Sequence, residues 1–262
     1  MLIRIKTAII RSKGTIKAIG VLFCPKNQLQ TMDSSIIAPE IFNNEFFTKL
    51  KEIANLEELK FFLEIGCSSG EGSTEALIST IKRRPDVGEC KYIGFEIIKA
   101  RHEELLRHYG HLAFVDFIRK TSVSIKQYPS YLSLIFFYLF RVNKLRDYGL
   151  FTVLSWMRLE KEYLRTHVMQ FSKSGIDEVL GTDKATLPDF ALIDGSEFTG
   201  RAELDRLIGT KYIALDDIFT FKNWENYNRL ISSNEYQLWF QDKELRNGCA
   251  IFKRISIRNG RN

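Results

Sequence analysis

Five short apolar runs recur along the chain, at Phe61–Ile65, Tyr92–Phe95, Leu112–Ile118, Phe190–Ile193 and Tyr212–Leu215. Strands apolar at nearly every position have no face for solvent. They need cover on both sides, which is the condition of a parallel sheet with helices on each face. Helical patterns fill Ser73–Arg83, closed by Pro85 and Gly88, and Lys99–Tyr109, closed by Gly110. Another runs from Pro39 to Leu59, where Ile41, Phe42, Phe46, Phe47, Leu50, Ile53 and Leu56 recur at threes and fours, with Asn43 or Asn44 as a cap. The C-terminal end changes character. Tyr236–Gln241 and Cys249–Lys253 flank a polar turn containing Asn247-Gly248, the pattern of an antiparallel hairpin. Upstream, Ile16–Phe23 reads as a strand and Gln28–Ser35 as a polar linker. The expected organisation is an N-terminal extension over 1–38 and one α/β domain over 39–262, with a helical insert at about 124–188.

Charge and cysteines narrow the function classes. The net charge of +6 is spread out, with no Lys/Arg run dense enough for a nucleic-acid arm, so no nucleic-acid partner is expected. The cysteines at 24, 67, 90 and 249 form no Cys-x-x-Cys pair, which argues against a zinc site or a disulfide framework. Met1–Arg11 lacks the continuous apolar stretch of a signal peptide, and the longest uncharged apolar stretch, Gln127–Phe140, is shorter than the roughly 20 residues that cross a bilayer. A cytoplasmic location is expected. Peripheral contact with a membrane and assembly into a homo-oligomer stay open.

Between the first strand and the first helix stands Glu64-Ile65-Gly66-Cys67-Ser68-Ser69-Gly70-Glu71-Gly72-Ser73-Thr74. Glycines let the chain turn sharply and let a ligand approach the backbone, and the following helix N-terminus presents unpaired N–H groups to an anion. A pyrophosphate or an aminoacyl carboxylate would be satisfied there. The negative charge of Glu64 repels a pyrophosphate. Glu96 ends the second strand about two dozen residues beyond the loop, near the spacing of a carboxylate that holds ribose hydroxyls.

This combination resembles class I S-adenosylmethionine-dependent methyltransferases. Their acid-x-Gly-x-Gly-x-Gly motif matches at Glu64, Gly66 and Gly70, with Ser68 in place of the middle glycine and Gly72-Ser73-Thr74 continuing the turn. The resemblance implies a Rossmann-like, doubly wound, seven-stranded, mostly parallel sheet with a C-terminal antiparallel hairpin and a helical insert between strands 3 and 4. It also implies S-adenosylmethionine as cofactor. Glu64 would face the ammonium of its methionine part, Gly66, Ser68, Gly70, Gly72 and Ser73 would lie along it, Glu96 would hold the ribose, and Thr121-Ser122 would sit by the adenine.

Asp194-Gly195 follows the fourth strand and Asp216-Asp217 the fifth. Ligands of open parallel sheets bind outside the carboxyl ends of the strands, so these carboxylates are expected to converge beside the cofactor's methyl group. Close like charges are costly unless a cation neutralises them or one takes a proton, and a hard cation such as Mg²⁺ suits oxygen ligands. The patterns Leu-Ile-Asp-Gly and Leu-Asp-Asp-Ile resemble the metal-dependent catechol and macrocin O-methyltransferases, which implies Asp194, Asp216 and Asp217 as Mg²⁺ ligands. Relatives often carry a histidine two places after the glycine; here Ser196-Glu197 follows, with Glu197 as a general base or the turn as merely structural, and Asp194 and Glu197 are the candidate catalytic residues. The alternative is structural, with Asp216 capping a helix and Asp217 solvated. His102, His108, His111 and His167 read as surface or packing residues.

The insert is rich in Phe, Tyr, Leu and Trp at Ser130–Phe140 and Tyr148–Met157, with Lys126, Arg141, Lys144, Arg146 and Arg158 around them. It reads as a pair of packed helices, as a lid over the acceptor, or as an element at a lipid interface. The expected reaction is methyl transfer to a hydroxyl of a small molecule, a sugar among the candidates. The rivals are an NAD-binding oxidoreductase, disfavoured by Glu64 and the hairpin, and a methyltransferase-like binding protein without activity. No Asn-Pro-Pro-Tyr-type motif for methylating base amino groups is present.

Overall fold

The computed structural model describes residues 38–168, 171–181 and 186–255. The expected strand at Ile16–Phe23 and the linker Gln28–Ser35 lie outside them. Seven strands form one sheet in the order β3-β2-β1-β4-β5-β7-β6. These are β1 (Phe61–Ile65), β2 (Lys91–Phe95), β3 (Val115–Ile118), β4 (Phe190–Ile193), β5 (Tyr212–Asp216), β6 (Tyr236–Asp242) and β7 (Cys249–Arg254). Strands β1 to β5 pair in parallel, and β7 lies antiparallel between β5 and β6. The order is that of the Rossmann-like methyltransferase fold, so the doubly wound sheet with its closing hairpin is as the sequence implies.

Alternation along each strand divides the core. Phe62, Tyr92, Phe190, Leu192 and Ile251 point to one face, under α1 (Glu45–Ala54), α2 (Ser73–Ile81) and α3 (Lys99–Tyr109). Leu63, Ile93, Ala191, Ile213 and Phe252 point to the other, under α6 (Gly175–Leu180), α7 (Gly200–Leu207) and α8 (Trp224–Ile231). Each fully buried Phe, Leu or Ile contributes about 1.5–3 kcal/mol. Cover on both faces explains why these strands are apolar throughout.

Some boundaries shift. The helical pattern over Pro39–Leu59 condenses to α1, because Asn44, not Asn43, caps it: its Oδ1 accepts from the Phe47 N–H at 2.9 Å. The expected helix Ser73–Arg83 stops at Ile81, and the strand expected from Leu112 begins at Val115, after a turn in which the Val115 N–H donates to the Leu112 carbonyl. The insert holds α4 (Tyr131–Phe140) and the longer α5 (Leu150–His167), joined by a 3₁₀ turn at Lys144–Asp147. Two small clusters pack it, one around Ile98, Tyr163, Leu164 and Val168, the other around Leu134, Leu145, Val153, Met157 and Phe198.

The chain's order places a topological switch between β1 and β4, where successive connections leave in opposite directions and open a crevice. At the far end of these two strands, Asp189 fastens them. Its Oδ2 accepts from the Lys60 and Phe61 N–H groups at 2.8 and 3.0 Å, and its Oδ1 meets Lys211 Nζ at 2.7 Å. Asp189→Ala orphans two backbone donors and is expected to lower the unfolding free energy by about 1–3 kcal/mol. Urea titration followed by circular dichroism checks this; an unchanged midpoint contradicts it.

Candidate active site

The glycine loop is tied down from beneath. Glu64, fully buried at the penultimate position of β1, accepts from Ser73 Oγ at 2.5 Å, from Thr74 Oγ1 at 3.1 Å and from the Tyr92 hydroxyl. Its carboxylate thus joins β1, β2 and the first turn of α2, and it is not on the wall of the cleft above the loop. Gly66, at φ +94°, is fixed by contact with the β4 end: a Cβ there would fall 2.3 Å from the Asp194 carbonyl oxygen. Ser68 stands where the motif has its middle glycine, and it keeps the left-handed backbone a glycine would supply, at φ 53°. Asp217 and Arg246 are left-handed as well, at φ 59° and 54°, and all three line the same cleft. Such conformations cost about 1–3 kcal/mol each and persist where surrounding contacts enforce them.

One cleft runs over the loop and is lined by Gly66, Ser68, Gly72 and Ser73 on one side and by Asp194, Glu197, Asp217, Lys222 and Arg246 on the other. Lys144, Leu145, Tyr148 and Trp156 of the insert wall it in. A second, smaller cavity meets it at Gly66 and is lined by Glu96, Thr121, Ser122, Tyr128, Glu160 and Ser196 among others. Here Glu96 Oε1 accepts from the Ile98 N–H at 2.7 Å, while its Oε2 is buried with no partner among the described residues. Ser68 Oγ is buried and unpartnered as well. Burial pushes the Glu96 carboxyl up and the charge of Arg101 pulls it down. Ser122 donates to Glu203 Oε1 at 2.5 Å.

The three aspartates converge as expected. One carboxylate oxygen from each of Asp194, Asp216 and Asp217 lies within 4.8 Å of the others. They are not alone. Lys222, which is only 4% exposed, reaches in from the loop after β5 and places Nζ 2.7 Å from Asp194 Oδ1 and 2.8 Å from Asp217 Oδ2. Arg246 from the hairpin turn pairs with Asp216 and with Glu40, and Asn247 Nδ2 donates to Asp217 Oδ1 at 2.8 Å. Burial alone would lower the Lys222 pKa, but Asp194 and Asp217 outweigh it and hold the ammonium charged. Magnesium requires oxygen ligands at about 2.0–2.1 Å in octahedral order, and the place between Asp194 and Asp217 is filled by an ammonium. As placed, these residues do not fit a Mg²⁺ site.

Glu197 lies beside the cluster, accepting from the Lys222 N–H at 3.2 Å; burial pushes its carboxyl up to about 7. Asp216 is pushed up to about 7, first by burial and then by Asp217, against the pull of Arg246. It does not line the cleft. Asp216 is thus not a helix cap but the partner of Arg246, and Asp217 is buried rather than solvated. Reading by motif missed Lys222 and Arg246. The only local signal for Lys222 is its position five residues after Asp217, and none marks Arg246 apart from the turn that carries it.

No protein-family model and no curated protein sequence matches the chain. Among solved structures it is similar to a candidate O-methyltransferase from Klebsiella pneumoniae, at 9% identity and TM-score 0.50, covering 88% of this chain and 89% of that one. A methyltransferase from Geobacter sulfurreducens superposes with TM-score 0.47 at 11% identity over 83% and 81% of the two chains. The N-methyltransferase NodS from Bradyrhizobium japonicum WM9, in complex with S-adenosyl-L-homocysteine, does so with 0.43 at 12% over 88% and 98%. The first of these superpositions, with the strand order above, establishes the fold as that of class I methyltransferases.

The buried carboxyl under the loop has a measurable consequence. Burial pushes Glu64 up to about 7, against the hydrogen bonds from Ser73, Tyr92 and Thr74. The folded state therefore holds a proton that the unfolded chain releases near its ordinary, lower pKa, so the contribution of Glu64 is present at acid pH and is lost as pH rises through about 7. Glu64→Gln is expected to shrink the fall in unfolding free energy between about pH 5 and pH 7 by up to about 3 kcal/mol. Urea titrations at both pH values check this; an unchanged fall contradicts it.

Proposed function

We propose that the chain is an S-adenosylmethionine-dependent methyltransferase that acts on a hydroxyl of a small molecule, a sugar being one class of acceptor. The observation that carries the reading is the pair of cavities meeting at Gly66, one with Glu96 Oε2, which has no hydrogen-bond partner among the described residues, the other with a charged cluster opposite the glycine loop. A ribose diol offers the donors that Glu96 Oε2 lacks, and Thr121 and Ser122 line the same cavity, which supports an adenine ring beside them. The backbone at Gly66, Ser68 and Gly72 would hold the methionine part, with Ser73 closing the turn and Glu64 acting through the loop it fastens. When bound, the cofactor would supply an electrophilic methyl group on a sulfonium, whose sulfur would be released as a neutral thioether once an acceptor oxygen took the methyl.

The chain's own residues supply alignment and charge. An ammonium has three donors, and Lys222 gives two to Asp194 and Asp217 while lining the cleft. The third is directed to the acceptor oxygen, where it favours the negative charge that develops as the proton leaves. Asp194 accepts from the acceptor and fixes its approach; Glu197, with its carboxyl near 7, takes the hydroxyl proton. In this reading Lys222 does the work the resemblance assigns to Mg²⁺, and Asp216 and Asp217 position the two cations rather than bind a metal.

Incubation with S-adenosylmethionine and panels of sugars and phenols, read by mass, is expected to give an O-methyl product and S-adenosylhomocysteine, with a rate unchanged by chelator. The rate is expected to rise with pH through about 7 as Glu197 loses its proton. Glu197→Gln is expected to lower kcat by about 10²-fold or more and to flatten that rise. Lys222→Met is expected to lower kcat by about 10²-fold while added Mg²⁺ restores nothing. Loss of turnover on adding chelator, or products methylated only on nitrogen, contradicts the reading.

A further inference from the structure

Helix α4, Tyr-Leu-Ser-Leu-Ile-Phe-Phe-Tyr-Leu-Phe, carries no charge over its length. A helix apolar all round is ordinarily buried all round. This one is not. Leu134 is fully buried, and Phe137 and Tyr138 pack against the cluster formed by Leu145, Val153, Met157 and Phe198. On the opposite side Leu132, Phe136, Leu139 and Phe140 follow at the spacing of one helical stripe, and Leu132, Phe136 and Phe140 are 67%, 61% and 70% exposed. Phe136 and Phe140 stack on each other at 5.6 Å. Val142 and Phe151 are exposed as well, so more than half of the exposed large apolar side chains among the described residues fall between Tyr131 and Phe151. Scattered apolar side chains need no account; a contiguous group on one helix marks a surface that meets something apolar.

Charge says what. From Lys126 to Phe151 the exposed charged residues are Lys126, Arg141, Lys144, Arg146 and Asp147, four cations to one anion. The acids that border the helix from other elements, Asp205 and Glu225, are paired with Arg229 and Arg201. An apolar stripe bordered by cations matches the interface of an anionic bilayer, where the side chains enter the acyl boundary and the cations meet the headgroups. At ten residues the helix is about 15 Å long, half the thickness of a hydrocarbon core, and no helix among the described residues is long and apolar enough to cross a membrane.

We propose that Tyr131–Phe151 is a docking surface for an anionic lipid bilayer. Lys144, Leu145 and Tyr148, within this segment, also wall the cleft, so docking sets the cleft at the membrane surface. From there an acceptor carried on a lipid is reached without leaving the membrane. That consequence rests on the methyl-transfer reading; lipid binding measured without cofactor does not.

The test is co-sedimentation of the full chain, without cofactor, with vesicles of phosphatidylcholine alone and of phosphatidylcholine mixed with phosphatidylglycerol. Binding is expected to the mixed vesicles, to fall with added salt, and to weaken by about tenfold or more in F136S/F140S. Lys126→Glu is expected to reduce binding to the mixed vesicles only. Thermal melts of each variant show whether it is folded, and both sites are exposed enough that melts are expected to match the wild type. Absence of binding to the mixed vesicles overturns the proposal, as does binding indifferent to phosphatidylglycerol and to F136S/F140S. A wild-type dimer that F136S/F140S dissociates in solution assigns the patch to a second copy and overturns it equally.

Discussion

A buried ammonium between two carboxylates organises the functional end of this molecule. Lys222 Nζ joins Asp194, at the end of β4, to Asp217, just past β5. The neighbouring Asn223 Nδ2 donates to the Ile193 and Asp216 carbonyls at 2.9 and 2.6 Å, so side chains hold the two strand ends where the parallel ladder stops. Taking one of these charges away leaves the others buried and unpaired, which in comparable sites costs about 3–5 kcal/mol. The ion pair is therefore weak evidence for net stability and strong evidence for a fixed arrangement. It sets the charge and the geometry of the cleft together.

Much of this was legible in the chain itself. Strands at Phe61–Ile65 and Phe190–Ile193 and the helix Lys99–Tyr109 were readable to the residue, because burial on both faces writes an unbroken apolar run and α3 stops at a glycine. The convergence of Asp194, Asp216 and Asp217 followed from one rule, that carboxyl ends of neighbouring parallel strands meet. What neutralises them did not follow. Lys222 is 28 residues from Asp194, and Arg246 is 30 from Asp216, and no periodicity marks a cation as the partner of an acid at such separations. Glu64 shows the same limit. Its place at a strand end was readable, but the Tyr92 hydroxyl that draws it under the loop belongs to the next strand.

The loop and the insert illustrate how function loads local structure against its own preferences. Ser68, Asp217 and Arg246 hold left-handed backbone without being glycine, and each faces the cleft. Helix α4 keeps phenylalanines in water on one side while packing leucine and tyrosine on the other. Neither choice helps the chain fold. The left-handed residues gather around one cleft, at the switch point where the topology alone already places a binding site, and α4 belongs to the insert that walls it.

In the proposed function, the joined cavities at Gly66 hold a sulfonium cofactor, with Glu96 on its ribose. Calorimetric titration of the protein with S-adenosylhomocysteine and, separately, with NADH tests it most directly. One-to-one binding of S-adenosylhomocysteine is expected, weakened at least about tenfold by Glu96→Ala, with no heat from NADH. Binding of NADH alone, or of neither ligand, would contradict it.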